Sequence, residues 1–308
     1  MRPHGPGALT LDSEEDDFDD EYELEDEEWT DEELEDDTWE ESEDDEEIEF
    51  DEDEEEYAPR EVSSTLSFGI VAIAPLVLLY ECTLALGSGH GMRSVAEAIL
   101  SLPLRPLPND LEPIVRRLGL VVLLVLALVV SRRRGIRLGG RVLRVLCEGV
   151  VFALLLGPLL AFASSYAEPF VGPLGSGSVP GGESGSFAHI ALAAGGAAYE
   201  EVLFRVLLLS FAFVVGRGVL VRVGADARIG AVGGALFGTL VSALGFAAIH
   251  VDRCIVWLGA GGEAFDAASF TWRAIAGIVL AGIVVWRGVG VAAWAHALFN
   301  LVRILGLS

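Results

Sequence analysis

Ala198-Tyr199-Glu200-Glu201-Val202-Leu203-Phe204-Arg205 places two adjacent carboxylates and an arginine inside a run that is otherwise apolar, from Phe187 to Val215. Ionised residues at bilayer depth cost about 2.5–3.5 kcal/mol each on insertion scales, and they mark function by default. Two later apolar segments carry histidines at similar depth, Phe246 to His250 and His296 to Asn300. The reading of the chain turns on whether these three places form one site.

Outward from this stretch the chain divides in two. The 308 residues are 52% hydrophobic yet carry a net charge of −27. Residues 1–60 hold 33 of the 47 acidic residues against Arg2 and Arg60, which gives −31, and residues 61–308 carry the remaining +4. Such an acidic block buries too little apolar surface to offset the entropy of ordering, so residues 1–60 are expected to be a disordered tail. Its partner is not legible in the sequence. The low isoelectric point belongs to the tail and says nothing about the body, for which no nucleic acid partner is expected.

From Leu66 onward the apolar runs are long enough to cross a bilayer core of about 30 Å, which takes about 20 residues. Spans are expected at Leu66–Leu86, about Ile114–Ser131, Val142–Tyr166, Phe187–Val215, Ile229–Val251, Phe270–Trp286 and Gly288–Leu305. A short amphipathic helix at Met92–Leu102 makes an eighth, interfacial element. The fold class is therefore all-α, a polytopic transmembrane bundle of about seven spans over residues 61–308, with a core at 187–305. The expected location is a bacterial cytoplasmic membrane. No basic region followed by an apolar core opens the chain, so no cleavable signal peptide is read. Cys82, Cys147 and Cys254 are far apart, form no C-x-x-C pair, and read as small buried hydrophobes.

Loop arginines set the orientation. Arg60, six arginines in 132–144, three in 216–228 and Arg287 fall on one side, eleven in all. Arg93, Arg105, Arg116, Arg117, Arg253 and Arg303 fall on the other, six in all. The first side, with the tail, is expected to be cytoplasmic.

Helical spacing then separates the two glutamates. At 100° per residue, Glu201 and Arg205 lie 40° apart in projection and can pair, whereas Glu200 lies 140° from Arg205 and points elsewhere. His296 and Asn300 are four apart on one face, and both can donate to an oxygen placed between them, as an oxyanion site requires. A carboxylate beside an imidazole can take a proton from water. Together these groups suit hydrolysis of an acyl bond without a covalent intermediate. No serine lies in a G-x-S-x-G setting. A metal alternative uses Glu200, His250 and His296 as zinc ligands, although the H-E-x-x-H spacing is absent. No cofactor is otherwise expected. The competing classes are a non-catalytic membrane scaffold and a proton-coupled transporter, the latter without an inverted repeat to support it.

Glu200-Glu201-x-x-x-Arg205, Phe246-x-x-x-His250 and His296-x-x-x-Asn300, in that order on successive apolar helices, resemble the three motifs of the CPBP family. This group of intramembrane proteases includes type II CAAX prenyl endopeptidases and bacteriocin-processing or immunity proteins. The resemblance covers roughly residues 66–308. It implies a glutamate-type endopeptidase acting on a membrane-associated protein or peptide, prenylated or bacteriocin-like, or an immunity-type protein that keeps the fold for binding. By motif position it implies that Glu200 and His250 activate water, that His296 and Asn300 hold the oxyanion, and that Glu201, Arg205 and Phe246 support them. Many members follow the arginine with glycine, where this chain has Val206. The acidic tail is outside the family core. The eukaryotic CAAX enzymes of the family present their site to the cytosol, whereas the arginine count puts the 167–186 and 252–268 loops outside.

Overall fold

The computed structural model describes residues 57–86, 93–136, 138–172, 187–259 and 262–305, with side chains from Leu66 onward. The expected tail disorder therefore falls outside the described residues, apart from the stretch at Tyr57, where the first helix already begins. Among the described residues the chain is α-helical apart from short 3-10 and π stretches, without a β-strand.

The helices are α1 (Tyr57–Ala85), α2 (Val95–Leu100), α3 (Glu112–Arg133), α4 (Leu138–Val171), α5 (Phe187–Glu201), α6 (Ser210–Arg222), α7 (Ala227–Ala248), α8 (Asp252–Ile255), α9 (Ala267–Arg287) and α10 (Val289–Ile304). A π-helical stretch, Val202–Leu209, joins α5 to α6, and Phe187–Arg222 is one span. Among the described residues six helices are long and apolar enough to cross a membrane. The seventh expected span is α10, whose 16 residues reach only about 24 Å at 1.5 Å per residue.

That helix is the centre of the bundle. It packs against α1, α4, α5 and α9, and Val289 to Ala293, Ala295 to Ala297 and Phe299 are buried. A helix apolar on all sides is an interior helix when its neighbours cover it. Small residues let the neighbours close in. Behind the site, Gly277 of α9 meets α7 so closely that an added Cβ would lie 2.8 Å from the Cα of Ala243.

Backbone groups at bilayer depth must find partners inside the protein. Pro75 removes a donor from α1, which still runs unbroken through it. Nearby, the Trp294 indole N–H of α10 donates to the Ala72 carbonyl at 2.8 Å. Asp226 and Asp266 cap α7 and α9 by accepting from the N–H groups of Ile229 and Ser269 at 2.8 and 2.7 Å.

Two expectations are corrected. The cysteines are exposed, not buried. Cys82 and Cys147 lie on membrane-spanning helices, where an apolar setting is supplied by lipid as readily as by protein. The expected amphipathic helix at Met92–Leu102 is shorter, six residues, and packs against α5 with Ala96 and Glu97 buried.

Candidate active site

Tyr199, Glu200 and Glu201 are consecutive, so a helix aims them in three directions. Tyr199 points to α1, where its hydroxyl donates to Glu81 Oε1 at 2.6 Å. Glu201 is fully buried and takes two partners on Oε1, His296 Nδ1 at 2.8 Å and Arg205 Nη1 at 3.2 Å. Glu200 is left facing the interior cavity, with Oε2 3.7 Å from His296 Nε2. The separation of the two glutamates expected from helical projection is present, with one addition. Glu201 serves His296 as well as Arg205.

The projection assumed regular α-helix, but the winding widens at Val202 into the π stretch that contains Arg205. Single π turns recur at functional sites. Here the Ser242 hydroxyl of α7 donates to the Phe204 carbonyl within that stretch, at 2.8 Å. Arg205 is itself buried. Its guanidinium donates to the Gly277 carbonyl at 3.4 Å and stacks 4.6 Å from the Phe246 ring centre, a cation–π contact.

Phe246 thereby joins Arg205 to both histidines of the site. Its ring makes edge contacts with the imidazoles of His250, at 5.3 Å, and His296, at 5.7 Å. His250 lies just past the end of α7, in the turn, and its Nδ1 is 2.9 Å from the Phe246 carbonyl. Burial, and after it the nearby Arg273 guanidinium, push the His250 imidazole down to about 4, so it is neutral at ordinary pH. A neutral ring that donates from Nδ1 to the Phe246 carbonyl keeps Nε2 as an acceptor.

Glu200, His250, His296 and Asn300 all line one cavity of about 490 Å³. Its remaining walls are mostly apolar, with Leu156 and Leu160 of α4, Leu280 of α9 and Phe299 of α10. Among the described residues no three His, Cys, Asp or Glu side chains are grouped to hold a metal ion. As placed, Glu200, His250 and His296 are not grouped as zinc ligands.

Sequence reasoning missed two groups. Glu263 and Arg273 form an ion pair at 2.8 Å on the cavity wall. Arg273 lies inside the expected sixth span, so the cost of charge at depth was a signal that could have found it. The second group ties α1, α2, α3 and α5 together beside the site. Glu81 pairs with Arg116 and with Arg117, Arg116 with Glu97 at 3.2 Å, and Glu97 with Arg93 at 2.8 Å. Tyr80 joins it by accepting from the Ser94 N–H at 2.8 Å and by packing its ring, tilted, against Tyr199.

A bundle of membrane-spanning helices with carboxylate, imidazole and amide groups gathered in an interior cavity defines a polytopic membrane protein with a buried polar site. Residues 183–302 match the model of the family described as Type II CAAX prenyl endopeptidase Rce1-like. The match agrees with the CPBP resemblance, and the long apolar helices fit an integral membrane protein surrounded by the lipid bilayer. No curated protein and no solved structure matches the chain.

Proposed function

We propose that the protein is a glutamate-type intramembrane endopeptidase that cleaves a membrane-associated protein or peptide. The observation that carries this reading is the convergence of Glu200, His250, His296 and Asn300 on one largely apolar cavity. Glu200 and His250 take a proton from the water that attacks the scissile carbonyl. His296 Nε2–H and the Asn300 amide donate to the oxyanion that forms, which needs a proton on His296 Nε2 as well as on Nδ1. Glu201, Arg205 and Phe246 hold the His296 ring in place. The apolar walls suit a peptide adjoining a prenyl group or a bacteriocin-type apolar segment. No cofactor takes part, and cleavage is expected to survive chelators.

The test is cleavage of a membrane-tethered peptide by purified protein in liposomes. Glu200→Ala is expected to abolish cleavage while folding and insertion stay unchanged. Cleavage at the wild-type rate by that variant sinks the proposal and leaves the binding-scaffold and transport readings.

A further inference from the structure

The ring of His250 is held by Phe246 of α7, but its backbone is held by a segment other than that helix. α7 ends at Ala248, and His250 sits in the turn beyond it. Residues 262–263 come back across that turn. The Glu263 N–H donates to the His250 carbonyl at 2.9 Å, and the Asp252 N–H donates to the Glu263 carbonyl at 2.9 Å. These bonds make an isolated bridge between Val251 and Glu263. The approach is backbone to backbone, since a Cβ on Gly262 would lie 2.7 Å from the Asp252 nitrogen.

A single bridge is too small to persist by itself, given that even isolated two-stranded hairpins are marginal in water. What pins it is the Glu263 side chain. Arg273 Nη2 donates to both Glu263 oxygens at 2.8 Å. Arg273 stands in the second turn of α9 with its side chain only 13% exposed, and α9 packs on α7 and α10. A chain of contacts therefore runs from a bundle helix through the Arg273–Glu263 pair to the backbone of His250. All three side chains line the cavity.

We propose that Glu263, latched by Arg273, is a positioning residue for His250. The pair acts on the reaction only through that histidine, so the kinetic part of the claim rests on the proposed peptidase function. The chemical part does not. Catalytic groups must be held to a fraction of an ångström, and such placement depends on supporting contacts.

The test uses the full chain in detergent, with Glu263→Ala, Glu263→Gln and Arg273→Lys. Carbethoxylation of His250 by diethyl pyrocarbonate is followed by mass spectrometry, with His296 as the internal comparison. Release of the latch is expected to raise the His250 modification rate on the order of tenfold in Glu263→Ala, as local opening frees the turn. The same variant should lose about 10- to 100-fold in kcat with KM within about twofold, the pattern of a misplaced catalytic group. Glu263→Gln keeps one acceptor and Arg273→Lys keeps the charge without the planar fork, so both should fall between. They also keep the question answerable if Glu263→Ala does not fold. Wild-type reactivity of His250 in the folded variants overturns the proposal. So does a rise in KM with kcat unchanged, which assigns the pair to substrate binding. If Glu200→Ala proves fully active, the peptidase reading falls while the modification rates still decide the latch.

Discussion

The imidazole Nδ1 of His296 lies 2.8 Å from Glu201 Oε1, so the second glutamate of the pair is the ring's anchor. The same oxygen is 3.2 Å from Arg205 Nη1. One buried carboxylate thus orients a candidate oxyanion donor and neutralises a buried cation, while its neighbour Glu200 faces the cavity.

Glu200→Gln and Glu201→Gln are therefore expected to fail differently. The first should lose about 10²- to 10⁴-fold in kcat, the usual weight of a general base, with little change in thermal unfolding in detergent. The second leaves the Arg205 charge buried without its partner and should destabilise by about 3–5 kcal/mol. Equal unfolding midpoints for the two variants would reject this division.

Tyr199→Phe removes only the hydroxyl that donates to Glu81. A buried acceptor that loses its donor costs about 1–3 kcal/mol. The variant should unfold at lower temperature and lose kcat with KM nearly unchanged, because the roll of α5 aims Glu200. A Tyr199→Phe enzyme with wild-type kcat would detach the polar cluster from the site.

His250 gives the pH dependence. Its folded value of about 4 lies below the usual imidazole value of about 6.5, so in that interval the unfolded chain binds more protons. Stability present above about pH 6.5 should be lost as the pH falls toward about 4. Thermal unfolding across this range checks it, and His250→Asn should flatten the curve. An identical slope in wild type and variant argues against the assignment.

Orientation can be read at Cys254, which is exposed in α8, four residues after the cavity-lining His250. The arginine count puts this segment outside the cytoplasm. In a Cys82→Ser, Cys147→Ser background, a membrane-impermeant maleimide should label Cys254 in intact cells. Labelling only after permeabilisation would turn the site toward the cytoplasm and align it with the eukaryotic CAAX enzymes.

The spans were legible because length and hydropathy suffice for them, and the motif residues because charge in an apolar run is conspicuous. The π winding from Val202 was not, since nothing in the run Val202–Leu209 distinguishes it from α-helix. Glu81, Arg116 and Tyr199 sit on three helices with no shared spacing, so only packing brings them together. α10 read as a span because an interior helix and a lipid-facing one have the same apolar composition, and neighbours alone tell them apart. Burial of the cysteines failed for the same reason.

Tyr199, Glu200 and Glu201 share one rotation of one helix. A turn of α5 that improved any one of their contacts would spoil the other two, so the three side chains act as a vernier on a single angle. The helix cannot be retuned for a new substrate by rolling. Specificity in this fold must change through the cavity walls, while the aim of the glutamate stays where its two neighbours set it.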